Sequence, residues 1–527
     1  MRKHRVLFKL LAIGFLGFLM GFIPLKGTDP AETKLEQYLE IEFKRLEETY
    51  SLLDQFAEKI WPGWNNYNDI EFNVRFPNNV HVLVNPRGAV PEGYVAVQGR
   101  TVRGKSIYLN RKEELPIELT PPLTGGGGGG LSIRIRMRES KLSPEDLEIL
   151  KNLPADKQPP ANSERQVLIY VHEFFHGFQA GSEVLEKEGE DLYNFKVNIP
   201  YAVYSNIEGL ALWEAYANKD QNKALEALQE YQAARDIKEK AMPPAAVPIE
   251  KMVRFSEGTA SYSNIKMAML IRDSQYKPCL NREIDPFFFD YKYLDPYIKE
   301  TLEEDAKDCM GETLDKIGKG YSYGALQCFV LDRFVPDWKQ GFFQGKKKQD
   351  QAIDAFLQST PRQKEAAAQR LNTKYPFKEI YAKHEAAIKE RDDAIALIKN
   401  RKGKKYIVDF IKIKELPGVK PRGKAVLIDV ERIFPHGIEK LYVGEVELTS
   451  LDTPMYCPLL YAYEWVDTEP VKDKKGFEVT FKEKADETYK NLVFKTGGFT
   501  LKAPEAQITE DNEKNEVRVR ILCKVSR

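Results

Sequence analysis

Histidine and cysteine are both scarce in this chain, with six and five among 527 residues. The cysteines, Cys279, Cys309, Cys328, Cys457 and Cys523, show no C-x-x-C spacing, which excludes a zinc ribbon and a disulfide-dense scaffold. A Cys279–Cys309 bridge across the Phe- and Tyr-rich loop between them is compatible with export, but an odd count leaves at least one thiol free and the pairing open. Charge of either sign is not in excess: Lys+Arg and Asp+Glu number 79 each. No global field therefore pulls the chain toward nucleic acid or an acidic membrane, and nucleic acid is not an expected partner. No internal repeat of solenoid period is present.

Long apolar runs are lacking too, apart from Leu10 to Pro24, which is short for a membrane span. The basic residues Arg2, Lys3, His4, Arg5 and Lys9 precede it, and basic start followed by apolar run is the layout of a secretory signal. No small-x-small cleavage site stands out after it and no lipobox cysteine follows. Residues 1–27 are accordingly expected to be a signal peptide or an N-terminal membrane anchor. The expected location is outside the cytoplasm: secreted, periplasmic, or held at the outer face of the membrane.

A chain of this length exceeds one ordinary core, so several domains are expected. Residues 33–160 read as an amphipathic helix (Thr33 to Ala57) followed by a strand-rich stretch, where "VHVLVNP", "YVAVQG" and "KSIYLN" are β-branched or aromatic runs bounded by Gly, Pro and Asn. Gly125 to Gly130 have no Lys-Ser/Thr after them, which excludes a phosphate loop. They read as a flexible surface loop or as bare backbone passing close to a site, and "LSIRIRMR" after them suits an edge strand beside a cleft. Residues 161–402 are mainly helical; Ser163 with Gln166, and Thr360 with Gln363, form capping-box patterns. From 405 to 527 the periodicity changes to two, predicting an all-β, sandwich-like domain. The expected fold class is α+β.

Against so few histidines, His172-Glu173-Phe174-Phe175-His176 stands out, because chance should place an H-E-x-x-H in well under roughly one such chain in a hundred. Residues four apart share a helical face, so His172 and His176 can each turn a ring nitrogen to one zinc ion. Glu173, one position round, can reach the open coordination position and act as general base. Val167, Val171, Phe174, Phe175 and Phe178 fall largely on another flank, suited to a core. A catalytic zinc takes three protein ligands, and no third histidine follows at metzincin spacing after Gly177-Phe178-Gln179. The third ligand is therefore expected to be a glutamate: Glu257 in "FSEGTASYSNIK", or Glu208 in "NIEGLALWEAYA".

These motifs resemble the gluzincin metallopeptidases, with a motif order similar to the aminopeptidase N-like branch. There the third ligand lies in an N-E-G-F-A-x-Y-type helix, and a later Y-x-K-G-A stretch supplies a tyrosine to the oxyanion. "SEGTASY" matches the first, and Tyr321-Ser322-Tyr323-Gly324-Ala325 matches the second at 64 positions beyond Glu257. That distance favours Glu257. Glu208, only 32 positions beyond His176 against 81 for Glu257, needs the smaller insertion and stays the alternative. Choosing Glu257 implies an inserted helical hairpin over roughly 183 to 250. The Gly-x-Met-Glu-Asn segment that recognises a free amino terminus in that branch is missing, so aminopeptidase specificity is not implied. Tyr321 and Tyr323 have a second reading, as packing residues of an apolar helix.

The resemblance implies a zincin-like catalytic domain and a zinc-dependent hydrolase, most simply a peptidase acting on peptide or protein. Glu173 would be the base and Tyr321 the oxyanion donor, with zinc held by His172, His176 and Glu257. The alternative is a noncatalytic cell-envelope binding protein with a structural or vestigial metal site. Oligomeric state is not legible.

Overall fold

The computed structural model describes residues 30–75, 81–110, 132–136, 162–179, 195–285, 288, 290–292, 294–308, 318–343, 348–411, 418–421, 426–428, 431–434, 438–443, 446–451, 455–459, 462–467, 478–480, 483–485, 488–496 and 499–522. The N-terminal basic and apolar segment, Gly125 to Gly130, Cys309 and Cys523 lie outside these residues. Among the described residues no helix is long and apolar enough to cross a membrane. Helices and sheets together make an α+β architecture. The main helices are α1 (Pro30–Ile60), α2 (Asn162–Phe178), α3 (Ile199–Ala217), α4 (Gln221–Lys240), α5 (Ala246–Asp273), α6 (Leu294–Lys299), α7 (Gly318–Phe334), α8 (Gln349–Leu357), α9 (Pro361–Lys374) and α10 (Phe377–Lys399). The chain divides into two compact units, neither continuous in sequence. One comprises Met1–Glu186, Lys251–Ala306 and Gly320–Phe356, the other Lys187–Glu250, Lys307–Lys319 and Leu357–Arg527.

In the first unit, α1 buries Leu39, Phe43, Leu46, Tyr50, Leu53, Ala57 and Ile60, a spacing of three and four that makes one apolar stripe. Five strands, β1 (Glu71–Arg75), β2 (His81–Val84), β3 (Tyr94–Val102), β4 (Lys105–Asn110) and β5 (Ser132–Arg136), form a sheet of order β3-β4-β2-β1-β5. Only β1 and β5 run parallel; β5, from the "LSIRIRMR" run, is an edge strand of this sheet. Helix α2 turns its apolar flank inward. Tyr170 and Phe174 lie 5.0 and 6.0 Å from the ring of Phe72 on β1, Phe174 meets Tyr50 of α1 at 5.2 Å, and Phe175 packs between Trp61 and Trp64. Each such buried side chain contributes about 1.5–3 kcal/mol of transfer free energy, so the rotation of α2 about its axis is set by this flank. What remains on the other side is the face with the two histidines.

The start of α2 differs from the capping-box expectation. The helix begins at Asn162, so Ser163 lies within its first turn, and the Ser163 hydroxyl accepts from Arg45 Nη2 at 3.1 Å. Arg45, buried on α1, donates through Nε to Asp285 at 2.8 Å. A buried guanidinium needs such partners to be tolerated, and here they tie α1 to the first turn of α2. Cys279 is a free thiol whose Sγ donates to Glu48 at 3.0 Å.

In the second unit, α3 and α4 are joined by only Asn218, Lys219 and Asp220 and pack along one another. Asn198 accepts from the Tyr201 amide at the start of α3, and Asp220 from those of Asn222 and Lys223 at the start of α4. At α9 both halves of the Thr360–Gln363 capping box are present, as the sequence pattern predicts. The strands are β6 (Lys404–Ile411), β7 (Gly418–Pro421), β8 (Val426–Ile428), β9 (Glu431–Phe434), β10 (Ile438–Val443), β11 (Val446–Leu451), β12 (Met455–Leu459), β13 (Ala462–Asp467), β14 (Glu478–Thr480), β15 (Glu483–Ala485), β16 (Thr488–Lys495), β17 (Thr500–Asp511) and β18 (Glu516–Leu522). Hydrogen bonds link all thirteen into one network of order β7-β10-β11-β17-β18-β6-β13-β12-β9-β8, with β14 and β15 on β16. The branch point is β17, twelve residues long. One of its edges pairs with β16, while its other edge serves β11 at Thr500 to Lys502 and β18 at Ala506 to Asp511. A single core of Tyr406, Leu441, Leu448, Phe494, Leu501, Val517, Ile521 and their neighbours lies between the strands.

Candidate metal centre

One helical turn on α2 brings the rings of His172 and His176 to a centroid separation of 4.8 Å at 82°, with their Nε2 atoms 3.1 Å apart. Helix α5, from Lys251 onward part of the first unit, brings Glu257 Oε2 to 3.2 Å from His172 Nε2 and 3.4 Å from His176 Nε2. Zinc bound at about 2.0–2.1 Å to nitrogen and 2.0–2.2 Å to oxygen with tetrahedral angles requires donor-to-donor edges of about 3.3 Å. The three separations fall around that value. Two imidazoles and one carboxylate are also the donor types that zinc takes with a position left open. This is the one such His, Cys, Asp and Glu cluster among the described residues.

Three further features surround the donors. His176 Nδ1 is 2.7 Å from the side-chain oxygen of Gln179, which belongs to the next turn of chain. Glu173 is half-buried beside the cluster; its charge acts on His176 at a distance. Tyr321, on α7, is half-buried with its ring parallel to that of His172, 10° between planes and 6.0 Å between centroids. The neighbouring tyrosine behaves differently: Tyr323 is fully buried, with the Arg254 guanidinium 5.3 Å over its ring. Tyr321, which the sequence left as oxyanion donor or packing residue, borders the cluster.

Helices α5 and α7 approach through glycine. A Cβ added at Gly324 would lie 2.6 Å from the Cα of Gly258, and one at Gly320 would lie 2.5 Å from Val253 Cγ1. At Gly324 the neighbour is backbone, so any larger residue must push the helices apart; at Gly320 it is the Val253 side chain, which must shift. Gly258 directly follows Glu257, and Gly324 is one turn beyond Tyr321. The close crossing thus sets how near Glu257 and Tyr321 come to the histidines, which gives the glycines of both motifs a packing role.

Burial opposes a charge on His176, but the carboxylate of Glu257, by attraction and hydrogen bonding, outweighs it and, with Glu173 and Gln179, pushes the metal-free imidazole up to about 9. Burial would likewise raise Glu257, yet the two histidines hold it well below the usual carboxylate range. A raised histidine stabilises the fold fully below its unfolded value of about 6.5 and loses that contribution as pH rises through about 9. A depressed glutamate contributes above about 4.5 and loses it as pH falls through its folded value. The metal-free protein should therefore draw its full benefit from this pair between about pH 4.5 and 6.5, with the melting temperature declining from there toward pH 9. Were zinc to take these donors, the proton on His176 would have to leave, and loading at pH 7.5 would release about one proton per ion. Calorimetric titration in two buffers of different ionisation heat reads that number; zero release would refute the protonated pair.

Glu208 belongs to the second unit, on α3. It is fully buried and accepts from Lys238 Nζ at 3.0 Å; the same ammonium donates to Glu250 at 2.6 Å, and Lys319 reaches Glu250 at 2.7 Å. Two ammonium groups and two carboxylates there form a buried, charge-balanced network, so the carboxylate of Glu208 has its partner without a metal. Sequence reasoning overlooked Gln179. Its signal was its place three residues after His176, on the same helical face. Comparison with family models, with curated proteins and with solved structures finds no match to this chain.

Proposed function

We propose that the first unit is a zincin-like catalytic domain of gluzincin type, holding one zinc ion through His172, His176 and Glu257 and hydrolysing peptide bonds in peptides or proteins outside the cytoplasm. The observation that supports this most is the triangle of donor atoms with edges of 3.1, 3.2 and 3.4 Å, matched to a tetrahedral ion. Zinc, when bound, supplies Lewis-acid polarisation of the scissile carbonyl and makes water more acidic. Glu173 takes the proton of the attacking water and returns it to the leaving amine. Tyr321 donates its phenolic proton in a hydrogen bond to the oxyanion. The glycine crossing of α5 and α7 keeps Glu257 and Tyr321 in register with the histidines.

The test is zinc stoichiometry in purified variants that keep the wild-type circular dichroism spectrum. Wild type should hold one zinc per chain; His172→Ala, His176→Ala and Glu257→Ala should fall to background. Glu208→Gln should keep its zinc and melt earlier, because a buried ion pair has lost a charge. Full zinc in both histidine variants would end the metallohydrolase reading. Zinc lost in Glu208→Gln but kept in Glu257→Ala would exchange the third ligand.

A further inference from the structure

We infer that Gln179 is a positioning residue that selects the metal-binding tautomer of His176 and couples it to the turn of α5 carrying Glu257. This rests on the zinc reading above and deepens it. Donor and acceptor capacity fixes the orientation of the amide. Gln179 Nε2 lies 3.0 Å from the carbonyl oxygen of Ser256 and 2.5 Å from Thr259 Oγ1. A carbonyl only accepts, so the amide end facing Ser256 must be the NH2 group; the reverse orientation would set two carbonyl oxygens against each other. The Thr259 hydroxyl donates to the carbonyl of Phe255 at 2.7 Å, which leaves its oxygen free to accept from the same NH2.

With its nitrogen so committed, Gln179 turns its oxygen to His176 Nδ1 at 2.7 Å. Two acceptor-only oxygens face the ring, Gln179 Oε1 at 2.7 Å from Nδ1 and Glu257 Oε2 at 3.4 Å from Nε2, and the closer one holds the proton of the neutral ring. Neutral imidazole carries one N–H, so the lone pair is placed on Nε2, the atom among the other two donors. The opposite tautomer would put N–H where a ligand atom is needed. Gln179 is 4% exposed, so water does not readily replace it, and the opposite tautomer would set two acceptors, the amide oxygen and a bare Nδ1, against each other at 2.7 Å. Ser256 and Thr259 flank Glu257 in the same helix. One amide therefore aligns a ligand on α2 and holds the turn that carries a ligand on α5.

Two substitutions separate these roles. Gln179→Met keeps length and roughly the volume but removes both donor and acceptor. Gln179→Glu keeps an acceptor for Nδ1 and loses the donor to Ser256 and Thr259. Zinc affinity is measured by competition with a chelator, and the tautomer of metal-free His176 by 15N NMR at a pH where the ring is neutral. Gln179→Met should bind zinc about 10- to 100-fold more weakly and show mixed tautomers. Gln179→Glu should stay within about threefold of wild type in affinity and keep the Nδ1–H tautomer, although it melts earlier. A packing role alone would weaken both variants in step with their melting temperatures. The inference falls if that parallel loss is seen, or if Gln179→Met retains wild-type affinity and tautomer. If wild type itself takes up no zinc, the metal reading fails, and the tautomer in wild type against Gln179→Met still decides the role of Gln179.

Discussion

Glu173→Gln is expected to retain a full complement of zinc and to lose peptide hydrolysis by about 10²- to 10⁴-fold, the usual contribution of a general base. The two readouts separate because Glu173 stands outside the donor triangle. His172, His176 and Glu257 approach one another to 3.1–3.4 Å, whereas Glu173 acts on His176 only through its charge. Glutamine has the same shape and leaves the packing of α2 intact, but its amide cannot take a proton from water at neutral pH. Metal analysis and hydrolysis of a mixed peptide library on the same preparation provide the two numbers. Activity within about threefold of wild type, far less than loss of a base should cost, would mean that another group activates the water. Loss of zinc would instead make Glu173 a ligand.

The second large effect belongs to Tyr321. Replacing it by Phe removes one hydroxyl and almost no volume, so zinc content and melting temperature should stay near wild type while turnover falls by roughly 10²- to 10³-fold, the cost of one oxyanion donor. Its half-buried ring, parallel to that of His172 at 6.0 Å, puts the residue beside the cluster, unlike the fully buried Tyr323 two residues on. If Tyr321 only packs, the pattern inverts: Phe is tolerated in activity and stability, and Tyr321→Ala is destabilised by the cavity it leaves. Tyr323→Phe is the control. It should change neither zinc content nor turnover, because its ring lies in the packed interior under Arg254.

Local pattern by itself indicated where several of the helices and strands lie. The spacing of Leu39, Phe43, Leu46 and Tyr50 specifies α1, the Thr360–Gln363 box specifies the start of α9, and the alternation in "KSIYLN" specifies β4. Such signals span a few residues and depend on backbone geometry alone. The same holds for the pairing of His172 with His176, since one helical turn separates them whatever the rest of the chain does.

Everything that depends on two distant segments meeting was decided by tertiary structure. Sequence left Glu208 and Glu257 as rivals because both stand before Gly in similar helices. The fold separates them through their partners: Lys238 neutralises one inside a buried network, and the crossing of Gly258 with Gly324 carries the other to the histidines. Likewise β17 links β11, β16 and β18 into one network, because strand pairing satisfies hydrogen bonds between chain segments that no local period records. The role of Gln179 was hidden for the same reason: its carbonyl oxygen meets a ring nitrogen three residues away, but its NH2 group meets Ser256 and Thr259, and only the packing of α2 against α5 brings those acceptors within reach.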